Sequence, residues 1–235
     1  MRIPVALPLA ALFALSLVGC QSDGGGDGGA PVPAARGGAA DAALLRLTPL
    51  PGKESTAPAL TEVTKVRFAT TAGDLVIEVY PQAGPNAAKR FLELVTTGFF
   101  DDTPVSRVVP GFVAQFGVNW REPHKAYENR QFIDDPSWFA LERGTLAFAK
   151  AGQPNTASTQ LFINYGDNTR LAAPQPNLSF WAFGKVVEGM DVVDKFVQVG
   201  DPSGGLDQGR LWADGGNYLA SLPVKPTMIT KATVE

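Results

Sequence analysis

Apolar and polar positions alternate early in the chain. Over residues 74–80, Leu75, Ile77 and Val79 alternate with Val76, Glu78 and Tyr80, the period of two expected of a strand with distinct faces. Thr64–Thr70 also reads as a strand, and the link Thr71-Ala72-Gly73 predicts a hairpin. The period then changes. Pro85 suits a first helical position, and Ala88, Phe91, Leu92 and Val95 come after it at i, i+3, i+4 and i+7, one buried helical face. Gly98 supplies the stop. Beyond it the apolar runs are short. Residues 105–109 and 112–116 flank Pro110-Gly111, and residues 145–149 and 160–164 flank a loop rich in Gly, Pro, Asn and Thr. Residues 180–187 and Met228–Val234 read as further strands, and residues 190–196 as a second helix carrying Val192, Val193 and Phe196. There is no strand–helix alternation and no internal repeat. The pattern predicts an antiparallel barrel or sandwich capped by helices.

The N-terminus obeys different rules. Arg2 precedes an apolar run from Ile3 to Val18 that contains Pro4 and Pro8. The run is too short for a comfortable membrane span and fits an export signal. It ends Leu17-Val18-Gly19-Cys20, which resembles a bacterial lipobox, in which Cys20 is lipidated and becomes the first mature residue. The plainer alternative is an ordinary signal peptide with a chance cysteine, but the one Cys of the chain stands where the pattern needs it. Gln21 after the cysteine resembles the class sorted to outer membranes. Residues 21–40 have little to bury and are expected to be disordered. Residues 42–47 could form a helical turn, but Pro49, Pro51 and Pro58 interrupt the stretch up to residue 60. The expected organisation is a signal over 1–19, a lipidated Cys20 with a tether to residue 60, and a domain over 61–235. Such a tether spans about 35 Å as a random coil. The expected location is a bacterial cell envelope, anchored to the bilayer on the periplasmic side or the outer face.

Composition narrows the chemistry. A chain of 235 residues, 45% hydrophobic, accommodates one domain with a sizeable core plus an extension. Its 20 basic and 23 acidic residues are mixed along the chain, net −3, which argues against a nucleic-acid partner. One cysteine excludes an internal disulfide and a CxxC site, and one histidine, His124, excludes a multi-histidine metal site. No G-x-S-x-G elbow accompanies that histidine, which reads as a surface loop residue. Asp101-Asp102 and Asp134-Asp135 read as turn or helix-start signals rather than a glycosidase pair. No metal and no cofactor is expected. The chain either uses no ionising catalyst, or uses carboxylates, or only binds.

Three segments carry a resemblance. Ser106-Arg-Val-Val-Pro-Gly-Phe-Val-Ala-Gln-Phe-Gly117, the run from Gly144-Thr-Leu-Ala-Phe-Ala-Lys-Ala-Gly to Ser158-Thr-Gln-Leu-Phe-Ile-Asn164, and Phe183-Gly-Lys-Val-Val-Glu-Gly-Met-Asp-Val-Val-Asp194 resemble the signature blocks of the cyclophilin-type peptidyl-prolyl isomerases. Asp207-Gln-Gly-Arg210 and Gly216-Asn-Tyr218 look like a bacterial branch. The resemblance implies a closed eight-stranded antiparallel β-barrel capped by two α-helices, with a groove for an Xaa-Pro segment. It implies catalytic roles for Arg107, Phe112 and Gln115. It implies substrate contacts from Val113, Ala149, Lys150, Ala151, Gln160, Phe162, Leu171 and Phe180, with Ala149 to Ala151 pairing with the substrate backbone. The expected partners are proline-containing exported polypeptides and, through Cys20, a lipid bilayer, with the protein acting as a monomer.

That chemistry suits the composition. The barrier to prolyl amide rotation is about 18–20 kcal/mol, and no bond is made or broken. A catalyst must favour the twisted amide, whose nitrogen becomes pyramidal and basic. A fixed cation with a rigid fork of donors, such as Arg107, does so. About 7 kcal/mol of such stabilisation gives roughly a 10⁵-fold rate gain. Phe112, Val113, Phe162 and Leu171 would hold the proline ring, and Gln115 would orient Arg107 or bind a substrate carbonyl. Plain core residues are the lesser alternative for Phe112 and Phe162. The sequence departs from the common family pattern at Val113, often Met, at Lys150, often Asn, and at Phe180, often His; Gln153 looks inserted, and no Trp falls in register near Arg170-Leu171. A proline-peptide-binding chaperone or scaffold with little turnover is the alternative function.

Overall fold

The computed structural model describes residues 47–172 and 179–235, so Cys20 and the expected export signal over 1–19 lie outside the described residues. Eight antiparallel strands form the body: β1 (Thr64–Thr70), β2 (Gly73–Val79), β3 (Thr103–Val109), β4 (Val113–Phe116), β5 (Thr145–Phe148), β6 (Leu161–Asn164), β7 (Gly184–Glu188) and β8 (Met228–Val234). They close into a barrel in the order β1-β2-β7-β5-β6-β4-β3-β8. The predicted hairpin is present, with Thr64 opposite Val79 and Thr70 opposite Gly73. Among the described residues no helix is long and apolar enough to cross a membrane.

Alternation along the strands separates two apolar clusters. Ala114 and Phe116 of β4, Leu146 and Phe148 of β5, and Leu161 and Ile163 of β6 fill the barrel interior. Val113, Ala147 and Phe162, on the same strands, join a second cluster on the opposite face. Residues one apart on a strand point to opposite faces, so one sheet builds both an interior and an outer floor. Helix α1 (Pro85–Thr96) presses Ala87, Ala88, Phe91, Leu94 and Val95 inward. The Phe91 ring lies 6.0 Å from Phe68, 5.7 Å from Phe100 and 5.8 Å from Phe183, in the tilted and edge-on geometries that aromatic pairs favour. No side chain caps α1 at its own start. Instead Asp135 accepts from the backbone N–H groups of Asn86 at 3.1 Å and Ala87 at 2.8 Å. The acid that read as a local turn signal thus caps a helix remote in sequence. Burial pushes its carboxyl above the ordinary value, against the pull of those two donors.

Two expectations are revised. The second long helix is α3 (Gln208–Ser221), whereas α2 holds only Met190–Val193. Helical periodicity is masked in α3 because Asp214 breaks the helical backbone near its middle and Gly215 and Gly216 interrupt the apolar face. Its inward face is Leu211, Trp212, Gly215 and Tyr218, and Gly215 lets Trp120 lie against the backbone, where a Cβ would fall 2.3 Å from the ring. Residues 47–60, expected to belong to a flexible tether, instead pack on the domain. Leu47, Leu50 and Leu60 are buried in the second cluster. Leu50 N–H donates to Trp138 O at 2.9 Å, and Ala140 N–H donates to Thr48 O at 2.8 Å. Residues 47–60 form a strap of short turns, with Lys53 N–H donating to Leu50 O and Ala57 N–H to Lys53 O, whose leucines still find a surface.

Candidate active site

Antiparallel register brings Arg107 of β3 opposite Gln115 of β4, and Gln115 opposite Phe162 of β6. Three predicted side chains from two separate sequence blocks therefore share one outer face. Arg107 Nη1 donates to Gln115 Oε1 at 3.2 Å, and Gln115 Nε2 donates to Gln160 Oε1 at 2.8 Å. The guanidinium carbon lies 5.7 Å from the centre of the Phe112 ring, within cation–π range. Burial pushes Arg107 below its ordinary value, yet an arginine remains charged throughout the physiological range. The result is a partly desolvated cation with fixed orientation beside apolar surface.

The apolar part is assembled from five segments of the chain. Val113 and Phe162 are buried in the second cluster, with Phe112, Ala149, Leu171 and Phe180 packed against it. Phe180 N–H donates to Leu171 O at 3.0 Å, and the Phe180 ring meets Phe162 edge-on at 5.6 Å. The two residues of the expected far wall are thus joined to each other and to the floor. Exposed Arg170 stands 5.7 Å from the Phe112 ring, on the same ring as Arg107. Trp181 is buried in the interior cluster and lines none of this surface. Backbone contacts fix Phe112: Tyr165 N–H donates to its carbonyl at 2.9 Å, and so does Asn168 Nδ2 at 2.9 Å.

The segment 149–151 is more committed than the sequence suggests. Ala149 N–H donates to Gln160 O at 2.8 Å and Ala151 N–H to Thr156 Oγ1 at 3.0 Å. Those two N–H groups are thus engaged within the fold, whereas the Lys150 backbone N–H makes no such bond among the described residues. The Lys150 side chain turns inward and is 1% exposed. Its Nζ donates to Asp134 at 2.8 Å and sits over the rings of Phe180 and Trp181, at 5.5 and 5.2 Å. Sequence reading missed this pair, because Asp134 looked like a turn signal and nothing linked it to Lys150. It also missed the loop at 201–205, whose Ser203 carbonyl accepts from Arg107 Nε at 2.6 Å. Asp201 of that loop carried no signal beyond its glycine-rich surroundings. His124 lies elsewhere, half-buried in a 3₁₀ turn and edge-on to Phe99 at 5.8 Å. No cluster of metal-ligating side chains occurs among the described residues.

Residues 65–233 match the family model described as cyclophilin type peptidyl-prolyl cis-trans isomerase/CLD. The chain belongs to the cyclophilin-type peptidyl-prolyl cis-trans isomerases. This cyclophilin is 36% identical over 148 residues to a peptidyl-prolyl cis-trans isomerase of Acinetobacter baylyi, covering 62% of this chain and 78% of that one. It is 32% identical over 182 residues to peptidyl-prolyl cis-trans isomerase A of Dickeya dadantii, covering 77% and 89%. A crystal structure of a cyclophilin type isomerase from Cryptosporidium parvum matches with a TM-score of 0.56 at 24% identity, covering 74% of this chain and 98% of the other, a likeness of fold. The cyclophilin barrel, closed by eight strands, agrees with the architecture that the sequence implied.

Proposed function

We propose that this isomerase turns Xaa-Pro bonds of exported polypeptides from a lipid-anchored position in a bacterial envelope, with Arg107 as its catalytic residue. The observation that carries the reading is the tethering of Arg107. Its Nε and Nη1 are held by Ser203 and Gln115, while Nη2 makes no hydrogen bond among the described residues. An oriented, partly desolvated donor is worth most where charge develops in the transition state. Phe112, Val113, Phe162 and Leu171 hold the proline ring, Phe180 closes the far side, and the Lys150 backbone pairs with the substrate chain. Gln115 orients the arginine, and Gln160 orients Gln115. The twisted amide, with its pyramidal nitrogen and localised carbonyl dipole, then gains from Arg107 what the planar amide does not. No proton changes hands, so neither His124 nor a carboxylate is needed.

The lipobox-like Leu17-Val18-Gly19-Cys20 and the Gly-rich stretch after it support the anchor. With residues 47–60 packed on the domain, the stretch left to serve as a tether is residues 20–46. That length lets a monomeric domain reach chains emerging near the bilayer. A chaperone or scaffold without turnover is not favoured, since the matched relatives bear isomerase names. Cell fractionation combined with an Xaa-Pro peptide assay tests the proposal. Full-length protein is expected in the membrane fraction, and Cys20→Ser protein in the soluble fraction with unchanged turnover. Cys20→Ser protein that stays membrane-bound after a high-salt wash argues against the lipid anchor.

A further inference from the structure

A short exposed loop lies on β3 beside Arg107. Asp201 and Gly205 exchange two backbone hydrogen bonds, each 2.8 Å, which close the loop on itself. Leu206, buried, donates its N–H to Ser106 O at 2.8 Å and clamps the loop to the strand. Gly205 has φ +76°, and a Cβ there would fall 2.5 Å from Ser106 O and 2.6 Å from Arg107 Cβ. Glycine is therefore needed for so close an approach. Inside the loop one carboxylate oxygen sets the geometry. Asp201 Oδ1 accepts from Ser203 N–H at 2.9 Å, Ser203 Oγ at 2.8 Å and Gly204 N–H at 2.6 Å. Those bonds fix the peptide units on both sides of Ser203, including its carbonyl, which takes Arg107 Nε–H at 2.6 Å. The donors to Asp201 hold its carboxyl below the ordinary carboxylate value, so it stays an acceptor at neutral pH.

We infer that Asp201 is a positioning residue for isomerisation, acting through the Ser203 carbonyl on Arg107. The inference rests on the catalytic reading of Arg107. A guanidinium fixed only by Gln115 can swing about that one bond. Fixed also through Nε, its plane is set, and Nη2 is aimed before substrate arrives. The gain falls on the transition state, where Arg107 acts, and the proline-binding surface of Phe162 and Leu171 is untouched. Loss of Asp201 therefore lowers kcat and leaves KM alone.

Steady-state kinetics on an Xaa-Pro peptide, with ¹⁵N NMR of the arginine Nε–H groups, tests this. Asp201→Ala is expected to lower kcat about tenfold with KM within twofold. Asp201→Asn, which keeps an oxygen for the three donors, is expected to retain at least half of kcat. Ser203→Ala keeps the carbonyl and should do the same. In the unmutated protein the Arg107 Nε–H should exchange slowly with solvent, and in Asp201→Ala it should exchange fast. Full kcat in a folded Asp201→Ala protein, equal losses in the Ala and Asn variants, or rapid exchange of Arg107 Nε–H in the unmutated protein overturns the inference; the last needs no variant to fold. Arg107→Ala separates the two claims. If it keeps its turnover, the catalytic reading fails. If it loses turnover while Asp201→Ala does not, only the role of Asp201 fails.

Discussion

Arg107 and Gln115 face each other across β3 and β4, joined by a hydrogen bond from Nη1 to Oε1 of 3.2 Å, and Gln115 is itself held by Gln160 at 2.8 Å. A glutamine pinned by its nitrogen has its oxygen aimed, and that oxygen aims the arginine. Gln115→Ala is therefore expected to lower kcat about tenfold, since a hydrogen bond to a charged group contributes about 1.5–3 kcal/mol. Gln160→Ala should cost less, because Gln115 retains its contact with Arg107. Peptide kinetics on the two variants checks the order; a larger loss in Gln160→Ala contradicts it.

The pair Lys150–Asp134 predicts an asymmetry in stability. Lys150 is buried under Phe180 and Trp181 with Asp134 as its ion-pair partner at 2.8 Å. Removing the acid leaves a buried cation unpaired, which costs about 3–5 kcal/mol, whereas replacing a buried charge by an apolar side chain of similar volume costs far less. Urea denaturation should find Asp134→Ala destabilised by about 3 kcal/mol and Lys150→Met by much less. Equal costs contradict the account. Because the Lys150 backbone stands at the expected substrate-pairing position, Asp134→Ala should also raise KM.

Legibility in the sequence depends on the range of the interaction. Alternation gave β1 and β2 nearly residue for residue, because a strand with two unlike faces writes its period into seven residues. The motif blocks singled out Arg107, Gln115 and Phe162 as one set, and β3, β4 and β6, which carry them, are neighbours in the barrel. Interactions between distant segments left no such trace. Asp135 caps α1 across 48 residues, and Ser203 reaches Arg107 across 96. Helix α3 escaped for a different reason, since its kink at Asp214 and its paired glycines erase the apolar stripe that marks a helix. Leu47, Leu50 and Leu60 sit among prolines and glycines that read as tether, and only the surface they cover reveals their purpose.

That strap gives a prediction of its own. Lys53 Nζ donates to Ser137 O at 2.6 Å and lies over the Trp138 ring, and Ser137 Oγ donates to Phe180 O at 2.8 Å. The strap thus braces the segment that braces the far wall. A protein starting at residue 47 should be as stable as one starting at residue 21. One starting at residue 61 should lose about 2 kcal/mol or more, since each buried leucine contributes about 1.5–3 kcal/mol before chain ordering is subtracted. Its KM should rise. Equal thermal midpoints for the two truncations contradict this.

His124 sets a pH dependence of stability but not of activity. Burial holds its pKa below the usual 6.5, Arg121 lowers it further, and Asp101 opposes. Its Nδ1 is buried without a hydrogen-bond partner among the described residues. The unfolded chain binds the proton more readily, so stability rises with pH in this range. The contribution is complete above pH 6.5 and is lost as pH falls through the lower folded value. Urea midpoints should therefore fall from about pH 7.5 to about 5.5, less so in His124→Gln. Turnover should be flat from about pH 6 to 9 wherever the protein is folded, because Arg107 keeps its charge. A midpoint that rises on acidification contradicts the assignment.

The chemistry turns on Arg107. Its substitution by Ala leaves the barrel interior untouched, so the fold should persist with an unchanged far-ultraviolet dichroism spectrum. The direct measurement is kcat/KM of Arg107→Ala on an Xaa-Pro peptide, with the fold verified in the same sample. A loss of about 10²–10³-fold is expected, the cost of removing one preorganised donor from a transition state. Turnover near that of the unmutated protein, in a folded Arg107→Ala variant, contradicts the account.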